Sequence, residues 1–214
     1  MPPALRPPLA GRMRPACPNP PEGTQMSDTI NRLAGIAPGS HLDQLRNRRA
    51  QAKTSAEESF TLLLSPADEG DFPVADRRRV AFFVALLHGD AEAVSFYEAL
   101  LGEDPLAGGL RNEAERAVAP GPWGRYPVGP LSAEDIQGPA LAIPDAAGFE
   151  PKLARALEHA HLLVLHPRDA SPRALQALLD AGWSTTGVVT LSQLVAFLSF
   201  QIRAAIGLRA LSRV

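Results

Sequence analysis

The sequence predicts an all-α protein that closes on one long apolar helix. From His41 onward, apolar side chains recur at the i, i+3, i+4, i+7 spacing of a helix, and no alternating β pattern is sustained. The segment SPRALQALLDAGWSTTGVVTLSQLVAFLSFQIRAAIGLRAL, Ser171 to Leu211, encodes a short helix, a Gly-Trp break and a long helix, in that order. With 214 residues and 22.8 kDa the chain can bury one core, so a single domain is expected over 26–214.

Residues 1–25 carry eight prolines together with Arg6, Arg12 and Arg14 against one acid, Glu22, a composition that cannot build a packed core. They also lack the apolar stretch of a secretory signal, so a disordered extension is expected, with the natural start at Met26. A first helix is expected over 41–64. Ser40 can cap it, Leu42, Leu45 and Arg49 keep helical spacing, Phe60, Leu63 and Leu64 finish its apolar side, and Ser65-Pro66 stops it. The second, from Pro73 or Val74 to His88, places Val80, Phe83, Val84 and Leu87 on a buried stripe and ends at Gly89. Asp90 can cap the third, 91–101, with Val94, Tyr97 and Leu101 turned inward, and a more polar helix follows over 106–118.

Proline and glycine alternate too densely in PGPWGRYPVGP, 120–130, for a helix or a central strand, so a loop divides the helical run there. Ser132 with Asp135 marks another helix start, and Pro144 a further break. The next helix begins at Pro151, lines up Leu153, Leu157, Ala160 and Val164, and stops before Pro167. Ser171 can then cap a helix starting at Pro172 and finished by Gly182. Ser184 or Thr185 opens the last helix, some 25 residues and roughly 37 Å long. Its stripe of Val188, Leu191, Leu194, Val195, Leu198, Ile202 and Ile206 is accompanied by Val189, Ala196, Phe197 and Phe200 elsewhere on the helix, which predicts a second buried contact at a subunit interface.

Composition narrows the function classes. A formal net charge of −2 gives no basic field, so neither nucleic acid nor an anionic membrane surface is expected as a partner. Cys17 is the only cysteine, which rules out an intramolecular disulfide and a zinc-thiolate cluster and fits a cytoplasmic location. Ser192, Gln193, Ser199 and Arg203 interrupt the most apolar run, so no membrane span is expected. No GxGxxG, P-loop, GxSxG or HExxH pattern is present, and no cofactor or metal ion is expected.

The order PKLARALEHAHLLVLHPRDASPRALQALLDAGWSTTG followed by a long helix, over 152–211, resembles the carboxymuconolactone decarboxylase and alkylhydroperoxidase D-like superfamily, with a fainter likeness over 74–101. The resemblance implies that multi-helix fold and assembly into trimers or hexamers. Peroxidase members carry a glutamate, then twelve residues on a CxxC pair, then a histidine four beyond the second cysteine. Laid on ADRRRVAFFVALLHGDAEAVSFYEAL, that register falls on Arg78, Asp90, Ala93 and Tyr97, so all four roles are unfilled. A thiolate is the nucleophile in that reaction, and this register has none. LDQLRNRR, the GPWG and GPL loop, LEHAHLLVLHPRDA and DAGWSTTGVVTLSQLVAFLSFQIR are similar to a subgroup lacking the cysteines, whose members occur beside or fused to a domain that keeps them. That likeness implies a non-redox, homo-oligomeric subunit with a CxxC-bearing relative as a further partner. The alternative it implies is an acid/base enzyme of the decarboxylase type acting on a small carboxylate or lactone.

The catalytic candidates for that alternative are His88, Asp90, Tyr97 and His161. Capping alone accounts for His88 and Asp90, a histidine at a helix C-terminus and an aspartate at the next N-terminus. His159 and His161, two apart on a helix, cannot share one metal ion, whereas Glu158 three before His161 can orient its imidazole. Trp123 and Tyr126, with Arg125 as an anion clamp, either edge a pocket or pin the loop to the core. Arg78 and Trp183 complete the pocket candidates. Trp183 is expected to pack beneath its own turn, and Arg77, Arg78 and Arg79 to be a solvated or intersubunit charge run.

Overall fold

Residues 28–117 and 121–213 are described by the computed structural model. The expectations placed on residues 1–25, Cys17, Met26, Val118 and Pro120 lie outside them. Among the described residues there are nine α-helices and no strand beyond one isolated bridge, Gly124 to Ile136. The helices are α1 Thr29–Ala34, α2 His41–Asn47, α3 Ala50–Leu64, α4 Val74–His88, α5 Ala91–Leu101, α6 Ala107–Ala117, α7 Pro151–Leu165, α8 Pro172–Asp180 and α9 Thr185–Leu211.

α4 is the centre. It packs against α3, α5, α6, α7 and α9, and Val80 through Ala85 are all fully buried. Over Val80 to Ala85 the expected one-sided stripe is therefore apolar on every side, as an enclosed stretch of helix must be. α9 packs on α1, α3, α4, α7 and α8, burying Val188, Leu191, Leu194, Val195, Leu198 and Ile202. At about 1.5 to 3 kcal/mol per large side chain, that face contributes on the order of 10 kcal/mol before ordering entropy is subtracted. By length and composition α9 could cross a membrane, but a core helix has the same length and composition.

The expected helix starts and stops agree with the caps observed. The Asp90 and Ser171 side chains accept from the amides of Ala93 at 3.0 Å and Ala174 at 3.4 Å, and Ser184 from Gly187 at 3.0 Å. Gly89 closes α4 in the left-handed conformation at φ 64°. Three expectations need correcting. The run 41–64 is two helices, because the chain turns at Arg48 and Arg49, where Arg49 has φ −121° and ψ 56°. Ser132 starts no α-helix; only a 3-10 turn, Pro130–Glu134, forms in that proline-rich stretch. α1, which the periodicity did not announce, is started by the Asp28 side chain accepting from the Asn31 amide at 2.9 Å.

The arginine run is also corrected. Arg77 is buried, and its guanidinium donates to the carbonyls of Phe72 at 2.7 Å, Leu63 at 3.0 Å and Glu69 at 3.1 Å while lying 4.8 Å from the Phe72 ring. It thereby holds the α3–α4 connection and satisfies a carbonyl in the last turn of α3. Arg79 pairs with Asp76 at 2.9 Å and Asp104 at 3.0 Å. Arg78 is partly buried and its Nε has no hydrogen-bond partner.

Candidate functional site

The α4–α5 junction, onto which the resemblance would lay a reactive centre, faces α9 and is filled by three polar fastenings. Tyr97, fully buried on α5, donates its hydroxyl to the Gln201 side-chain oxygen on α9. Burial pushes its phenol pKa up, with the nearby Glu57 charge adding to that, so it stays a protonated donor. Nε2 of His88 lies 3.3 Å from the Ser199 hydroxyl. Burial first, then the Arg203 charge, holds the His88 imidazole down at about 4 against the opposing pull of Asp90. Asp90 caps α5 and pairs with Arg209, whose other nitrogen donates to the Leu33 carbonyl of α1 at 2.8 Å. Ala93, between Asp90 and Tyr97 on α5, is buried. Each group that could be reactive is already bonded to structure.

A second cluster joins the proline-rich loop to the end of α7. The Trp123 amide donates to the Leu165 carbonyl at 2.7 Å, and its ring lies 6.3 Å from that of His166. A Cβ built on Gly138 would sit 2.0 Å from the Trp123 ring, so this glycine is what lets the backbone lie against the indole. Tyr126 lies under the Arg168 guanidinium at 4.1 Å. The Arg125 amide donates to Asp169 at 3.1 Å, while its side chain is exposed. Of the two expectations for this loop, pinning is what these contacts accomplish.

His161 is oriented by His166, not by Glu158 as the spacing predicts. Glu158 instead accepts from the Ile143 amide at 2.8 Å and pairs with Arg155. His166 Nδ1 lies 3.3 Å from Asp169 Oδ2, and His166 Nε2 lies 3.1 Å from His161 Nδ1. Asp169, His166 and His161 thus form one hydrogen-bonded chain, carboxylate to imidazole to imidazole, in which the ring tautomers set donor and acceptor. Burial, then the charge of His166, lowers the His161 pKa to about 4, and the Ala117 carbonyl opposes the shift.

His159 points the other way, to Ser192 Oγ at 3.0 Å. That hydroxyl gives its one proton to the Val188 carbonyl at 2.9 Å, so His159 must donate from Nε2, and its buried Nδ1 is left without a partner. His159 and His166 both line a cavity of about 180 Å³ with Leu141, Leu162 and Leu178. No hydrogen bond or ion pair joins any two of His88, Asp90, Tyr97 and His161. Trp183 belongs to neither cluster. It packs edge-on to Phe72 at 4.9 Å and donates from its indole to the Lys152 carbonyl at 2.9 Å. No three His, Cys, Asp or Glu side chains among the described residues are grouped to hold a metal ion.

Sequence reading missed the α9 partners Ser199, Gln201 and Arg209, and it missed Asp169. The signal was present for two of them: Ser199 and Gln201 interrupt a buried apolar stripe, and a polar group there needs a bonded partner.

The buried imidazoles have a consequence for stability. His88, His159 and His161 all have folded pKa values below the ordinary 6.5, so the native state binds fewer protons than the unfolded chain. Their contribution is complete above about 6.5 and is lost as pH falls toward 4. On the order of 2 kcal/mol is expected from each of His88 and His161 between those limits, with His159 acting in the same direction. Urea midpoints at pH 7.5 and pH 4.5 check it; equal values would contradict the neutral, buried state of these rings.

No protein-family model, curated protein or solved structure matches the chain.

Proposed function

We propose that the chain is a member of the carboxymuconolactone decarboxylase and alkylhydroperoxidase D-like superfamily without its redox cysteine pair. In this reading it acts in the cytoplasm as a non-redox, oligomer-forming subunit, paired with a CxxC-bearing relative that supplies the chemistry. The alkylhydroperoxidase D-like assignment of the fold is part of the proposal. One observation carries it: Asp90 and Tyr97, two of the four positions where a thiol centre would stand, are spent on fastening α9, while the outward side of α9 stays apolar and uncovered. Val189 and Phe200 are 52 and 56 % exposed, and Val189, Gln193, Ala196 and Phe200 recur at four, three and four residues, the spacing of a helix–helix seam.

Acid/base turnover of a small carboxylate or lactone is favoured less, because it needs two of the four candidates on one cavity. His88, Asp90 and Tyr97 each engage a different α9 side chain, and His161 engages His166.

Sedimentation velocity, on the chain alone and mixed with a CxxC-bearing relative, tests the proposal. The wild-type chain is expected to assemble and Val189→Glu to remain monomeric, because a charge at a packed seam costs about 2 kcal/mol or more. A wild-type chain that is monomeric throughout and ignores the relative would remove the idea.

A further inference from the structure

The last turns of α9 diverge from the corner between α2 and α3 and leave a groove. Phe200 and Leu211, both more than half exposed, wall it with Leu45, over a floor of Ile30, Ala204 and Leu208. Its volume, about 720 Å³, lies within the range of about 300–1,000 Å³ usual for small-molecule sites. The rim is cationic, with Arg46, Arg48, Arg49 and Lys53 all lining it. Two of these charges are balanced. Arg46 pairs with Asp28 at 2.8 Å, and Lys53 with Asp28 at 3.2 Å and Asp43 at 3.0 Å. Asp43 is firmly ionised, its pKa lowered to about 2 by the Gly39 amide, Lys53 and Asn31. Arg48 and Arg49 remain, two exposed residues lining the apolar trough whose guanidinium groups have no side-chain hydrogen bond or ion pair among the described residues.

We propose that this groove binds a single-chain amphiphilic anion, a fatty carboxylate, with its alkyl chain along α9 and its headgroup between Arg48 and Arg49. Apolar walls matched to two uncompensated cations ask for a ligand with those two chemistries joined end to end. The other occupants fit less well. A second copy docked two-fold on this face would set Arg48 and Arg49 against their own images. Residues 1–27, which lead into Asp28 beside the groove, carry three arginines and a single acid, the wrong sign for this rim.

The groove shares Phe200 with the proposed assembly seam, and calorimetric titration of the full chain, as wild type and as the Val189→Glu variant that lacks the seam, with octanoate, decanoate and dodecanoate below their micellar concentrations tests it. Saturable one-to-one binding is expected, tightening about fourfold for each added methylene that the groove buries. Replacing both arginines, Arg48→Ala with Arg49→Ala, is expected to weaken dodecanoate about tenfold and to flatten its salt dependence. Gly207→Leu provides the second arm. Gly207 lines the groove within a helix, a Cβ there meets nothing within 4 Å, and leucine is the better helix former, so this variant keeps its fold while filling the trough. It is expected to abolish binding. Absence of saturable binding, or binding that Gly207→Leu leaves intact, overturns the proposal. So does attachment to anionic phospholipid vesicles without affinity for free dodecanoate, which would make this a bilayer contact. A Gly207→Leu variant that loses self-association while the wild type ignores dodecanoate would assign the groove to a second copy and overturn it as well.

Discussion

Trp183→Ala is expected to cost about 3–5 kcal/mol of unfolding free energy, the range for truncating a large buried aromatic. Trp183 is 4 % exposed at the junction of α8 and α9, and three interactions converge on it. Its ring meets the Phe72 edge at 4.9 Å, its N–H reaches the Lys152 carbonyl at 2.9 Å, and the Lys152 ammonium lies 4.7 Å from its face. Lys152 in turn donates to the Asp71 carbonyl at 2.6 Å, and the Asp71 carboxylate accepts from the Ser184 amide at the start of α9 at 2.8 Å. One indole therefore ties the α3–α4 loop, the start of α7 and the entry of α9 together. Trp183→Phe keeps most of the area but removes the indole N–H that the Lys152 carbonyl accepts beside its helical position in α7, so about 1 kcal/mol is expected there. Urea unfolding measures both; a loss below about 1 kcal/mol for the alanine variant would contradict this role.

Arg77→Ala is expected to cost about 3–4 kcal/mol, and Arg77→Lys most of that amount. A lysine brings one compact charge to a place where a fork serves three carbonyls, so two lose the guanidinium, although the Glu69 carbonyl also accepts the Phe72 amide at 3.2 Å. A hydrogen bond from a charged donor contributes about 1.5–3 kcal/mol, and an unmet buried carbonyl adds its own desolvation. If Arg77 were part of a solvated run, both variants would lie within about 0.5 kcal/mol of the wild type. The same denaturation series separates the two cases.

The difference between that expectation and the structure shows what was legible. Local signals settled the boundaries from α4 to α9, because Pro73, Gly89, Asp90, Pro151, Ser171 and Ser184 act on the backbone within one turn of where they stand. The break at Arg48 and Arg49 has no such mark: the residues on both sides form helices readily, and the turn is held by the contacts of Asp28, Asp43 and Lys53 across α1, α2 and α3. α1 is too short, at six residues, for periodicity to register. The candidate residues were legible as individuals, but their partners were not. His88 and Ser199 are 111 positions apart, Tyr97 and Gln201 104, and Asp90 and Arg209 119, and only the packing of α9 on α4 and α5 brings them together.

The account rests on the α4–α5 junction being a fastening for α9 and not a reactive centre. A double-mutant cycle on Tyr97→Phe and Gln201→Leu, read by urea unfolding, tests that most directly. Each single change strands a buried polar group, costing about 1–3 kcal/mol, whereas the double change strands neither. The double variant is expected to be no less stable than the worse single, with a coupling energy of about 1 kcal/mol or more. Strictly additive losses would mean that the two side chains do not depend on one another, and the fastening would have to be given up.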